Sequence, residues 1–175
     1  MFGPPGLIRL KASRQRRSKA DGMNNLKSPR AAVVRENSRK PFGLDIIVRE
    51  HQVAADEPVA VGGQDSGPDP FELLLASLGA CTAMTVRMYA NHKGWPLESV
   101  QVRLQHSLRS GEDGALSDQF DRVITLDGAL SPEQRARLVE VADRCPVGKA
   151  LKRGASVSVA ENDSSNFQPD EIQAS

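Results

Sequence analysis

The sequence predicts a single domain that mixes strands with helices, and three observations carry that reading. LDIIVRE and HQVAADEP, over residues 44–58, read as two strands around a turn near Arg49–His51. FELLLASLGACTAMTVRMYA, starting at Phe71, is a long apolar run at helical spacing. SVQVRLQHSLR and FDRVITLDG then read as a strand pair, followed by a second helical run, SPEQRARLVEVADRC. A chain of 175 residues suits one domain with an ordinary core.

Composition and charge set bounds on function. Hydrophobic residues make up 39% of the chain, and an unbroken apolar stretch such as Leu73–Ala76 falls far short of the roughly 20 residues of a membrane span. No membrane partner is expected. Two cysteines are too few for a disulfide scaffold. The net charge of +1 hides an asymmetry: residues 1–40 carry eleven Lys/Arg against two Asp/Glu, or +9, and the remainder carries −8. This head contains RQRRSK and little hydrophobic periodicity, so residues 1–41 are expected to be a disordered basic extension. A transit peptide or an anion-binding arm is the alternative, and Met23 is a natural later start; no nucleic-acid partner is expected. The folded unit is set at residues 42–160, with 161–175 a flexible acidic tail.

Each element has a local reason. VGGQDSGPDP is a glycine- and proline-rich connector that lacks the Gly-Lys-Ser/Thr ending of a phosphate loop. Asp69 can cap the following helix, and Pro70 fits its first turn. Leu74, Leu78, Cys81, Thr85 and Met88 share one stripe, while Ala76, Ser77, Gly79, Ala80 and Ala83 would let another helix approach closely. A helix apolar nearly all round implies burial on several sides, here against a copy of itself in a dimer. Gly94 and Pro96 end it. Val100, Val102 and Leu104 alternate cleanly in the next strand. FDRVITLDG alternates less cleanly, with Val123 read inward and Arg122 outward, and GEDGALSD is the hairpin loop between the two. Ser131, Pro132 and Gln134 start the second helix, whose buried stripe is Leu138, Val141 and Ala142. ASVSVA is expected to be a last strand.

The two cysteines are the candidate chemistry. Cys81 lies inside the apolar helix, and Cys145 lies 64 residues later where another helix ends, in DRCPVGKAL. Pro146 disfavours helical geometry at Cys145 and can begin a short new helix. Cys145 then sits at a helix N-terminus, where free N–H groups and the dipole favour a thiolate, with Arg144 and Lys149 nearby. Two such thiols suggest paired redox chemistry. No metal is expected, because two cysteines without clustered histidines cannot supply four zinc ligands. His51, His92 and His106 lack ligand spacing and read as surface residues, Trp95 as an anchor for the turn after the helix, and Glu98 as solvated charge.

GPDPFELLLASLGACTAMTVRMYANHKGWPLESVQVRL, followed by EQRARLVEVADRCPVGKAL, resembles the OsmC/Ohr family, most of all its OsmC-like branch. The similarity runs from about His51 to Val159, and its two cysteine motifs match in order and context. The resemblance implies an α+β OsmC-like fold with two central helices and antiparallel sheets, in an intertwined homodimer with active sites at the subunit interface. It implies a thiol peroxidase that reduces organic hydroperoxides, with Cys81 peroxidatic and Cys145 resolving. A thiol reductant, often a lipoyl protein, would reopen the disulfide, and no cofactor is implied.

The family also uses an arginine from the first β-hairpin and a glutamate opening the cysteine helix. Arg49 is the matching arginine. The glutamate position directly after the proline is Phe71 here, and Glu72 follows one residue later, turned by about 100° on a helix of 3.6 residues per turn. Gly148 stands where relatives often carry His or Ser. Phe71, Leu74 and Leu78 are the expected walls of an apolar substrate pocket. The function expected is therefore a cytoplasmic hydroperoxide reductase of the oxidative stress response. The alternative is a non-peroxidase relative whose interface cleft binds a hydrophobic ligand or electrophile, a reading that Phe71 favours.

Overall fold

The computed structural model describes residues 30–39, 41–111 and 114–161, and its elements all fall in one compact unit, Ala32–Asn166. The RQRRSK head, Met23 and nearly all of the acidic tail lie outside the described residues. Three strands come first: β1 (Val33–Glu36), β2 (Leu44–Val48) and β3 (His51–Ala55), antiparallel in that order. β1 precedes residue 42, so the sheet begins inside the stretch assigned to the extension. β2 and β3 pair from Leu44↔Ala55 to Val48↔His51, which leaves Arg49–Glu50 as a two-residue turn. Arg49 takes a left-handed φ of 56° there, uncommon for a residue with a side chain.

The connector holds a short 3-10 turn, Val59–Val61, and is organised by Asp56. This buried carboxylate accepts hydrogen bonds from the backbone N–H of Glu57, Gln64 and Ser66 and from the Ser66 hydroxyl, at 2.8–3.2 Å. Burial pulls the Asp56 carboxyl up, but these hydrogen bonds together outweigh that and hold it below its ordinary value.

The connector delivers the chain to α1 (Pro70–Lys93). Asp69 caps it, with Pro70 in the first turn, and Gly94 ends it in the left-handed region at φ 64°. The buried side of α1 is Leu78, Gly79, Thr82, Val86 and Ala90, one position away from the expected stripe. Ala76, Ala80, Met84 and Met88, at four-residue steps, form an exposed face; Met84 is 65% and Met88 71% exposed. By length and composition α1 could cross a membrane, contrary to the expectation from unbroken runs. It packs against β4 (Ser99–Ser110) and α2 (Pro132–Ala142). Gly79 makes that contact close: a Cβ there would lie 2.7 Å from Leu104 Cδ1, so the leucine tip would have to shift.

β4 and β5 (Leu116–Asp127) form a twelve-residue antiparallel hairpin, from Ser99↔Asp127 to Ser110↔Leu116. β5 starts four residues before Phe120, inside the stretch expected as loop. Phe120, Ile124 and Leu126 face inward as expected, but Arg122 and Val123 exchange places: Arg122 faces inward and Val123 is 66% exposed. α2 starts from a capping box of Ser131 and Gln134 and buries Leu138, Val141 and Ala142. The core joins Val86 and Ala90 of α1, Leu97, Leu126, Leu130, and Leu138 and Ala142 of α2. Trp95 packs edge-on against Tyr89 at 5.6 Å and rests on this cluster, an anchor for the turn. The last element among the described residues is α3 (Pro146–Arg153). Residues 155–160 form no strand within the chain, and Val157 and Val159 are 89% and 96% exposed. The fold is α+β, with antiparallel sheets and three helices.

Candidate functional site

The site forms where α1, β5 and the start of α3 meet. Cys145 is the N-cap residue of α3, with extended backbone (φ −60°, ψ 135°) set by Pro146 after it. Its sulfur is fully buried and accepts the Gly148 backbone N–H at 3.3 Å. One turn into α3 there is thus an amide donor aimed at sulfur, the capping geometry that the Cys-Pro sequence suggested.

Two more groups converge on this sulfur. The Thr82 hydroxyl of α1 lies 3.5 Å from Sγ and also 2.7 Å from the Leu78 carbonyl. Arg122 reaches in from β5, its Nη1 3.7 Å from Sγ, 3.0 Å from the Thr82 hydroxyl and 3.3 Å from the Ala142 carbonyl. Its other nitrogen, Nη2, is held by Asp143 at 3.0 Å, and Asp143 in turn pairs with Lys152 at 2.6 Å. The lysine ammonium foremost, with Arg122 adding, holds the Asp143 carboxyl below its ordinary value.

Both cysteines are free thiols. Cys81, one residue before Thr82 on α1, is half-buried and near enough to Cys145 to act on its thiol. Burial pushes the Cys145 thiol up. The hydrogen bonds from Thr82, Gly148 and Cys81 and the charge of Arg122 together outweigh that, so it falls below the ordinary thiol value.

Beside the residues that hold Cys145 opens a cavity of about 530 Å³, whose lining includes neither cysteine. Phe71, Leu74, Leu78, Phe120 and Leu151 give it apolar walls, while Arg122, Lys152 and Asp118 give it polar ones. Gly148 lines it too: a Cβ there would lie 3.0 Å from Cys145 Sγ and 3.7 Å from Arg122 Nη1. The cavity therefore ends on the residues that hold Cys145. At its edge His106 is stacked between Phe71 (centroids 4.4 Å apart, planes at 9°) and Phe120 (5.0 Å, 28°), and its Nε2 meets Asp118 Oδ1 at 2.8 Å.

The site residues expected from sequence are placed as follows. Cys81 and Cys145 come together, and Phe71, Leu74 and Leu78 line one cavity. Glu72 is the third residue of the α1 capping box; its carboxylate accepts the Asp69 N–H at 3.0 Å. Arg49 lies exposed at the β2–β3 turn, and the cation beside Cys145 is Arg122. His106 is half-buried in an aromatic stack, unlike the surface residue expected. Arg122 and His106 were missed although both carry a signal. Each continues the inward alternation of its strand, Val100–Val102–Leu104–His106 and Phe120–Arg122–Ile124, and a polar side chain on an apolar face demands a partner.

Comparison with known proteins fits this geometry. Among solved structures, an OsmC-like protein from Mycoplasma pneumoniae is 22% identical, covering 72% of this chain and 87% of its own, with a TM-score of 0.57. An organic hydroperoxide resistance protein OsmC from Legionella pneumophila is 20% identical over 72% of this chain and 92% of its own (TM-score 0.54). The organic hydroperoxide resistance protein OhrB of Bacillus subtilis is 22% identical over 72% and 91% (TM-score 0.52). At these identities the likeness is one of fold. A comparison with curated proteins gives no match. The family model described as OsmC-like protein matches residues 63–160, more than half of the chain and the whole stretch from the connector through both cysteines. The chain belongs to the OsmC-like family.

Proposed function

We propose that the protein is a thiol-dependent peroxidase that reduces organic hydroperoxides through Cys81 and Cys145. The observation that carries this reading is the approach of two free thiols 64 residues apart, with an arginine at Cys145 and an apolar cavity against the residues that hold it. Half-exposed Cys81 attacks the peroxide: the S–O bond forms, the O–O bond breaks, and the alkoxide takes a proton and leaves as alcohol. Cys145 then attacks the sulfenic sulfur of Cys81; the S–S bond forms, the S–O bond breaks, and hydroxide leaves as water. A dithiol reductant, a lipoyl protein or another of that class, returns two electrons and two protons. The solved relatives described as organic hydroperoxide resistance proteins support the substrate class.

The working unit in this proposal is a cytoplasmic homodimer. Two supports are the exposed Ala76–Ala80–Met84–Met88 face and the unpaired segment around Val157 and Val159, both surfaces that a second copy can cover. Two free thiols suit a reducing compartment. Arg49 keeps a role in this scheme as a group offered by one copy to the other copy's Cys81.

Phe71 favours a second reading, in which the cavity binds an apolar ligand without turnover. It occupies the family's glutamate position, lines the cavity and stacks on His106. The test is consumption of cumene hydroperoxide with a dithiol reductant by wild type, Cys81→Ser and Cys145→Ser. The peroxidase reading expects turnover in the wild type and none in Cys81→Ser. No turnover in any of them, with an aromatic probe bound in the cavity and displaced by Phe71→Ala, establishes the second reading instead.

A further inference from the structure

We propose that Arg122, together with the Thr82 hydroxyl and the Gly148 N–H, favours the thiolate form of Cys145, so that a larger share of the buried sulfur can close the disulfide without first losing a proton. The inference rests on the peroxidase reading and adds to it a catalytic residue on β5, in contact with the reacting sulfur.

The argument starts from division of labour. Cys145 is fully buried and Cys81 half-exposed, so a peroxide arriving from solvent meets Cys81 first. Yet the hydrogen-bond donors and the cation gather on Cys145. It has Gly148 N–H at 3.3 Å, the Thr82 hydroxyl at 3.5 Å, Arg122 at 3.7 Å, and the Cys81 thiol. A sulfur that only filled space would need none of these partners. A buried neutral thiol would also leave Arg122 half-neutralised, since its other nitrogen is matched by Asp143, which Lys152 already shares.

The charged and titratable groups around Cys145 come from every neighbouring element. β5 contributes Arg122, α1 contributes Cys81, the end of α2 contributes Asp143 acting through Arg122, and α3 contributes Lys152 acting through Asp143. The sum favours the charged form against the cost of burial. Arg122 touches the cavity as well as the Cys145 sulfur.

A depressed thiol trades two effects. Below the thiol's pKa, each unit of depression raises the thiolate fraction about tenfold and lowers its nucleophilicity about threefold. Disulfide closure is therefore faster at neutral pH and slower at high pH than an ordinary thiol would give. Removing Arg122 must reverse both.

The experiment has two parts. In Cys81→Ser, whose hydroxyl keeps the donor to Cys145, the ultraviolet thiolate absorbance is titrated with and without Arg122→Gln. In protein with both cysteines, one equivalent of cumene hydroperoxide is added and the sulfenate-to-disulfide step is timed across pH by dimedone trapping. The proposal expects a Cys145 midpoint below the ordinary thiol value of about 8.5. It expects Arg122→Gln to raise that midpoint by about one pH unit, and Arg122→Lys to raise it less. It expects Arg122→Gln to slow closure about threefold at low pH and speed it about threefold at high pH, a crossing that misfolding cannot mimic. Thr82→Val, which leaves the Arg122–Asp143 pair in place, should shift the midpoint in the same direction and serves if Arg122→Gln fails to fold. An ordinary midpoint in the parent protein, or one that neither variant moves, overturns the proposal. A low, Arg122-dependent midpoint in a protein that consumes no peroxide supports the Arg122 assignment and overturns the peroxidase reading alone.

Discussion

Arg122 of β5 places Nη1 3.7 Å from the sulfur of Cys145, 23 residues further along the chain, and fastens its own position through Asp143. The contact ties the β4–β5 hairpin to the start of α3. It also makes the environment of the second cysteine depend on the register of a strand, since a one-residue slip of β5 would turn Arg122 to solvent.

The core that sets this register should be sensitive at Leu138, which is fully buried where α2 meets α1 and β5. Leu138→Ala should cost about 2–5 kcal/mol of unfolding free energy, the usual range for a buried leucine truncated to alanine. Chemical denaturation of wild type and variant, with the slopes compared, measures it. A loss below about 1 kcal/mol would mean that this site collapses around the void or is not buried as described.

Asp56 should matter through pH. Its carboxyl is held below its ordinary value by the Ser66, Glu57 and Gln64 hydrogen bonds. A depressed acid contributes stability that is present above the unfolded-state value and is lost as pH falls through the folded one. Wild type should therefore lose thermal stability below about pH 4, where aspartates protonate. Asp56→Asn, which cannot ionise, should melt lower at neutral pH and show a flatter decline on acidification. Parallel melting curves for the two proteins across that range would contradict the assignment.

Phe71 should set substrate size. Its ring lines the cavity and stacks on His106. Phe71→Ala should lower the preference for cumene hydroperoxide over tert-butyl hydroperoxide, as a ratio of kcat/KM, by about two- to tenfold, equivalent to the 0.5–1.5 kcal/mol of an aromatic contact. An unchanged ratio would remove Phe71 from the substrate's path.

The open face of α1 should be an interface between copies. Met84 and Met88 lie one turn apart and are both largely exposed. A double variant, Met84→Glu with Met88→Glu, should keep its helical content and sediment at half the mass of the wild type. A wild type that sediments as a monomer would remove the dimer from the account.

Much of this architecture was legible in local chemistry. Asp69-Pro70 and Ser131-Pro132 each announced a helix start, and both were found capped. Cys145-Pro146 announced the N-cap that brings Gly148 N–H onto sulfur. What escaped was set by long-range pairing. Alternation in FDRVITLDG is ambiguous because Val123 and Ile124 are adjacent, and only the pairing His106↔Phe120 and Leu104↔Arg122 fixes which of the two faces inward. Glu72 reads equally well as a catalytic acid and as the third residue of a capping box, and only the folded geometry of Asp69 shows the box. ASVSVA has strand-like alternation but no partner strand among the described residues, and α1 looked buried on several sides because its exposed face is as apolar as its buried one.

The most direct measurement is of the two sulfurs themselves. One equivalent of cumene hydroperoxide added to the reduced protein, followed by proteolysis without reductant and mass spectrometry, should yield a peptide pair joined through Cys81 and Cys145. Cys145→Ser should yield sulfenic acid on Cys81. Free thiols at both positions after the peroxide is consumed, or oxidation of Cys145 alone with Cys81 untouched, would contradict the account.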